Sequence, residues 1–256
     1  MIRGLVSVRM RGRMKSPYSF AELVARLFCL LFGLFVLAQG IALTILANLG
    51  TDAITSPALV AHLLLGTQPG GAGYEWCTVG NMLICVHVTL VLMQILLLRS
   101  KYRPVQLLQI VNALILGAML DACLSYTVLL PVPNYGAALG YTLAGCVVSA
   151  FGIFTFVKAN LVPLSAEGLC LALSRVFNWR FSRVKIGVDC SMLGIAVAAS
   201  LLLLGTLAGV REGSLICAVS TGFIIGLLFR HCPIWDKFFA KAGKRELSSE
   251  ASDKLA

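Results

Sequence analysis

Apolar residues run in long blocks along this chain. Six of them are long enough, or nearly so, to cross a bilayer: Leu27 to Ala47, Val79 to Leu98, Val105 to Leu130, Tyr135 to Val157, Ile186 to Ala208 and Gly213 to Phe229. A hydrocarbon core takes about 20 mostly apolar residues per helix, and only the last block, with 17, falls short. Two shorter apolar segments interrupt the series, Thr51 to Gly66 after the first block and Pro163 to Asn178 after the fourth. In the first, Ser56 followed by Pro57 marks a helix start, because Ser caps free N–H groups and Pro at the first helical position has none to orphan. About nine residues remain, ~14 Å of helix. In the second, Pro163 and a capping Ser165 precede about a dozen residues, or ~18 Å. Neither reaches across, so each is a re-entrant half-helix or a helix lying at the interface. On a helical wheel Glu167, Ser174 and Asn178 share a face, as do Asp52, Thr55 and Ser56 if that helix begins early.

The block pattern is used twice. Gly40, Ile41, Ala47, Asn48 and Leu49 recur as Gly152, Ile153, Ala159, Asn160 and Leu161, at one offset of 112 residues. Asn81 and Asp189, then Arg103 and Arg211, continue the match at an offset of 108. A unit of about 110 residues holding several apolar blocks is too long for a solenoid repeat and fits a protein made of two homologous halves. The chain therefore divides into a basic arm (1–20), a first membrane repeat (21–130), a second (131–232) and a tail (233–256).

Composition fixes the medium. Hydrophobic residues make up 59% and charged residues 12%, against roughly 25% charged in soluble domains. The net charge of +10 changes the picture only through its placement. With six spans, twenty Lys and Arg fall on one side and Arg211 alone on the other; eight spans would leave fifteen against five. The positive-inside rule selects six, with both termini cytoplasmic. Three spans per half is odd, so the second half enters from the opposite side. The expected fold is an all-α membrane protein, with six transmembrane helices in two inverted three-helix repeats, each carrying one short helix. Anionic lipid and insertion account for the basic residues, which leaves no case for nucleic acid. The nine cysteines show no CxxC or Cys/His ligand spacing, so no disulfide, metal site or cofactor is expected.

The candidate chemistry lies where the repeat meets the short segments. Asn48, Thr51, Asp52 and Ser56 in the first half, and Asn160, Ser165 and Glu167 in the second, are candidate substrate-binding residues. Glu167, Asp121 and Asp189 are candidates for a coupling proton or cation, since a carboxylate at membrane depth is costly and marks function by default. Asp189 has a plainer partner in Arg183 or Lys185. His87, Gln106, Gln109 and Asn112 are polar positions inside spans, expected to bond between helices. Gly136 and Gly140, then Gly222 and Gly226, have the four-residue spacing that lets backbones approach, within one subunit or across a dimer.

The stretches ANLGTD, RSKYRPVQLLQI, KANLVPLSAEGL and GVREGSLI resemble the YczE/YitT-like bacterial integral membrane proteins, over roughly residues 25–232. The resemblance implies a six-helix protein of the bacterial inner membrane and supplies no substrate. It also implies a Lys at the position of Leu46, which the second copy keeps as Lys158.

No HExxH, GxSxG or phosphate loop is present, so an enzyme is not expected. Inverted repeats with short, Pro-interrupted segments at matching positions point to a small-molecule transporter with its site at the repeat interface. The other expectation is an accessory or substrate-capturing subunit acting with a partner membrane protein, or a homodimer. The charge count makes the topology directly testable: cysteine labelling should find Thr67 to Trp76 outside and Arg99 to Arg103 inside, and finding both on one side would overturn six spans.

Overall fold

The computed structural model describes residues 20–67, 71–99, 104–207, 209–232 and 235. The basic arm up to residue 19, Lys101 and Arg103, and the tail from 236 lie outside the described residues. Eight α-helices form, with no strand among the described residues: α1 (Phe20–Ala47), α2 (Thr55–Leu65), α3 (Val79–Leu98), α4 (Leu108–Thr127), α5 (Tyr135–Ala159), α6 (Ser165–Phe177), α7 (Phe181–Ala199) and α8 (Glu212–His231). Six are long and apolar enough to cross a membrane, α7 with the help of a π-helical extension through Leu204. These are the six blocks of the sequence with shifted ends. The third starts at Leu108 rather than Val105 because Pro104–Leu107 forms a 3-10 turn, and the fifth begins near Arg183. The short helices α2 and α6 have 11 and 13 residues, ~17 and ~20 Å, too short to span.

The repeated Asn is a helix stop. Asn48 and Asn160 take φ of 52° and 51°, the left-handed conformation that ends α-helices and that Asn tolerates better than other non-Gly residues. The two ends are also finished alike. Arg211 Nη1 donates to Asn48 O at 3.2 Å at the end of α1, and Arg26 Nη1 donates to Ala159 O at 3.0 Å at the end of α5.

Helices α1 and α5 form the centre and run antiparallel. Gly33 meets Phe156 and Gly152, Gly40 meets Ser149 and Gly145, Gly145 meets Thr44 and Gly40, and Gly152 meets Leu37 and Gly33. A Cβ added at any of the four would come closer than 3.0 Å to the facing helix. The contacts are reciprocal at the 112-residue offset: Gly33 with Phe156 has its mate in Thr44 with Gly145, and Gly40 with Ser149 has its mate in Leu37 with Gly152. A two-fold axis through the crossing produces this pattern. Around the pair, α4 packs on α1 and α8 on α5; α6 lies against α3 and α7, and α2 against the same two. The halves differ in one respect. Helices α3 and α4 close on each other where Gly80 meets Gly117, whereas α7 and α8 do not pack along their length.

The first and last spans begin and end at the same end of the bundle. Arg26 at the start of α1 reaches the end of α5, and Gly213 N at the start of α8 donates to Leu49 O past the end of α1, at 2.7 Å. Among the described residues, Arg211 is the one Lys or Arg at the opposite end.

The glycines with four-residue spacing do not bring backbones together. A Cβ at Gly140, Gly222 or Gly226 would meet nothing within 4 Å, and one at Gly136 only Asn134 Oδ1 at 3.4 Å. Close approach falls instead at seven-residue spacing, two turns of helix, where an antiparallel crossing returns to the same face. Gly40→Val should therefore destabilise the protein by at least about 1–3 kcal/mol, the usual effect of overpacking, and lower its thermal midpoint in detergent. Gly226→Val should leave the midpoint near that of the unmodified protein; equal midpoints for the two variants would contradict the crossing.

Candidate functional site

The link from α1 into α2 is built from hydroxyls and one carboxylate. Asp52 Oδ2 accepts from Ile54 N at 3.2 Å and Thr55 N at 3.3 Å, so Asp52 caps α2. Thr51, fully buried, pairs with Thr44 through their hydroxyls at 3.0 Å. Ser56 is not the cap that the Ser-Pro pair suggests. Its hydroxyl donates to Asp52 O at 2.9 Å and to Gly209 O at 3.2 Å in the distant α7–α8 connection. The helix starts at Thr55, and Pro57 still sits in the first turn, where its missing N–H leaves no bond unmade.

Helix α6 begins deep inside the bundle. Ser165, also read as a cap, is the first helical residue and makes no capping bond; its hydroxyl instead bonds His87 Nδ1. His87 is the ninth of the 20 residues of α3, so α6 starts at mid-height of a spanning helix. The chain from the end of α5 to the start of α7 thus enters and leaves by one end. Gln94 Nε2 donates to Ser165 O at 2.9 Å and to Gln109 Oε1 at 3.1 Å. Gly168 lies directly on this amide pair, where a Cβ would stand 2.7 to 2.9 Å from the two side chains. Helices α3 and α4 therefore clamp the first turn of α6 through buried, uncharged polar groups.

The charged part of the site lies on the other face of that turn. Glu167 meets the chain surface in part, yet its Oε2 is enclosed and has no hydrogen-bond partner. Burial pushes the Glu167 carboxyl above the ordinary carboxylate range, and the Lys185 ammonium nearby pulls it partly back. Lys185 Nζ pairs with Asp189 Oδ1 at 2.8 Å on α7. Asp189 and Asp52 both lie within electrostatic reach of Glu167. The start of α2 approaches the same region through Ile54, which packs against Leu90, Ala166 and Leu169, while Glu167, Lys185 and Asp189 gather on its α6–α7 side. Groups of this kind can exchange protons or hold a polar solute away from bulk water.

The sequence candidates separate on this geometry. Thr51, Asp52, Ser56, Ser165, Glu167 and Asp189 lie at or beside the converging turns. Asn48 and Asn160 do not: each is exposed at the end of its helix, and the antiparallel register sets them on the order of 25 Å apart along the bundle. Their side-chain identity serves the backbone turn. Asp121 is also elsewhere, capping α3 by accepting from Gly80 N and Thr78 Oγ1, both at 2.7 Å. Lys158 stands 5.9 and 5.7 Å from the ring centres of Phe154 and Phe229, at the end of α5 and away from the site. Gln94 and Lys185 are the additions. Two spacings in the sequence hold the signal, His87 to Gln94 two turns apart and Gln109 to Asn112 at i,i+3, since each places polar groups on one helix face. Buried polar atoms without a partner gather there too: Gln94 Oε1, Gln109 Nε2 and Asn112 Nδ2. Among the described residues no group of three His, Cys, Asp or Glu could hold a metal ion.

No curated protein and no solved structure matches this chain. A family model does, over residues 24–230, which takes in all six long apolar helices save the first residues of α1 and the last of α8. The chain belongs to DUF6198, a family of unknown function.

Proposed function

We propose that this protein is a secondary transporter of a small molecule, with its site where the first turns of α2 and α6 converge and Glu167 as the group that binds the coupling proton or cation. In this reading the two halves are inverted repeats, the protein lies in the bacterial inner membrane with both termini cytoplasmic, and its likeness to the YczE/YitT-like proteins reflects shared architecture. The observation that carries it is Glu167 in the first turn of α6, its Oε2 enclosed without a hydrogen-bond partner, on a short helix that begins at mid-height of α3 and has Ile54, just before α2, packed against its Ala166 and Leu169. Short helices that stop at depth, in matching positions of two halves, are where transporters place substrate and ion sites. A carboxylate that has lost hydration binds protons nearer neutral pH than one in water, and Glu167 is placed to do so.

The test uses vesicles holding the purified protein and an entrapped pH dye, with a panel of labelled metabolites supplied under an imposed pH gradient. Glu167→Gln keeps shape and removes the charge. It should abolish pH-driven uptake and the accompanying proton flux while leaving solute exchange or binding in place. A surface ion pair is worth only ~0 to 1 kcal/mol, so if Glu167 merely paired at the surface the variant would transport normally, and that result would end the coupling role.

A second reading has its own observation. The α7 and α8 faces that do not meet carry Gly194, Gly222 and Gly226 facing open space, beside exposed Ile195, Val219 and Phe223. Such faces suit another membrane protein or a second copy of this chain. Stoichiometric co-purification with another membrane protein, together with no solute movement under any gradient, would favour an accessory subunit.

A further inference from the structure

At the end of the bundle where α6 turns into α7, an open groove of about 570 Å³ runs along the first half of α7. Its body is apolar, walled by Leu173, Val184 and Val188. Gly187 lines it too, and a Cβ there would meet nothing within 4 Å, so the missing side chain leaves a notch beside the helix. Its rim is basic: Arg180 and Arg183 line it, both exposed, and neither has an acidic partner among the described residues. Arg175 adds further positive charge on α6, while Lys185 is neutralised by Asp189. Trp179 lines the same rim and stacks on Phe177, with ring centres 5.1 Å apart and both rings exposed. Aromatic pairs of this kind mark the headgroup level of a bilayer. From Arg180 to Val188 the groove descends ~12 Å along the helix axis, from headgroup depth into the hydrocarbon.

An unpaired double-arginine rim above an apolar trough is complementary to an amphiphile with a negative head. It is a poor match to a zwitterion, whose ammonium would meet the guanidinium groups, and a free phosphate would leave the trough empty. We propose that this groove holds one anionic phospholipid, its phosphate on Arg180 and Arg183 and one acyl chain along Val184 and Val188 in the notch at Gly187. The site is separate from the converging turns of α2 and α6, although the same two helices, α6 and α7, carry Glu167 and the Lys185–Asp189 pair.

Native mass spectrometry of the full chain in detergent tests this, with phosphatidylglycerol and phosphatidylcholine of identical chains titrated in parallel. Phosphatidylglycerol should bind at one site, roughly 10- to 30-fold more tightly than phosphatidylcholine, the preference that about two surface arginines supply. Arg180→Gln with Arg183→Gln should erase that preference. The doubly conservative variant, Arg180→Lys with Arg183→Lys, should keep most of it and shows that the effect is charge rather than misfolding. Gly187→Leu places a side chain in the notch, where its Cβ meets nothing within 4 Å, and should weaken phosphatidylglycerol binding at least fivefold with both arginines intact. Equal binding of the two lipids, or an undiminished preference in the Gln variant, would overturn the site. Displacement of the lipid by millimolar inorganic phosphate, or full binding by Gly187→Leu, would reduce it to an anion site without a chain groove and overturn the proposal as stated.

Discussion

Everything in this bundle depends on how closely α1 and α5 approach. In a membrane, lipid tails are as apolar as leucine, so helices gain little from hiding hydrophobic surface and associate instead through close packing and hydrogen bonds. Gly33 and Gly40 on one helix and Gly145 and Gly152 on the other let the backbones meet without intervening side chains. Both glycine pairs stand at the same 112-residue offset, so the two surfaces of the contact present glycine at matching positions. The remaining helices are laid against this pair: α4 on α1, α8 on α5, and the short helices between the outer ones.

The second constraint is polar. An unpaired donor or acceptor in hydrocarbon costs several kcal/mol, so a helix that stops at mid-membrane must have its first turn met by partners. For α6, two other helices grip Ser165 rather than the turn's N–H groups: His87 of α3 bonds its hydroxyl, and Gln94 of α3, held by Gln109 of α4, donates to its carbonyl. For α2 the partner is local, since Asp52 caps its own helix and Ser56 reaches the α7–α8 connection. The same requirement that stabilises the short helices also concentrates polar groups inside the bundle, and a site for a polar solute needs little more.

The spans and short helices were legible in the sequence because block length and charge placement are local properties. The pairing of Asn48 with Asn160 was legible because both end a helix in the left-handed conformation, a demanding position. What could not be read was set by long-range contact. Ser56 was the cap the sequence offered for α2, yet Asp52 takes that place and the serine hydroxyl turns back to Asp52 O and across to Gly209 O, 153 residues away. Asp121 had the look of an ionic site, yet its carboxylate is satisfied by the start of α3, a partner 43 residues earlier in the chain. Among the glycines, four-residue spacing does not mark the contacts within the chain, where α1 and α5 stay together over several turns at seven-residue spacing. Glu167 was picked out by its place after the repeat, but its neighbours on α7 follow from the α6–α7 hairpin alone.

The two halves of the chain differ in the polar side chains of their spans. At the 108-residue offset, the polar clamp of the first half, His87, Gln94, Gln109 and Asn112, corresponds to Ile195, Leu202, Cys217 and Ser220 in the second. Gln94 is fully buried while Leu202 is 83% exposed. The second half therefore has no side chains with which α7 and α8 could grip α2 as α3 and α4 grip α6. Closure of α3 on α4 rests on Gly80 and Gly117, where the second half has Val188 and Ile225 at the same offset. Elements with few packed contacts open at the lowest free energy, so the softest part of the bundle is α7, which also carries the Lys185–Asp189 pair facing Glu167. The rigid half holds the start of α6 in place, and the loose half presents it with charge.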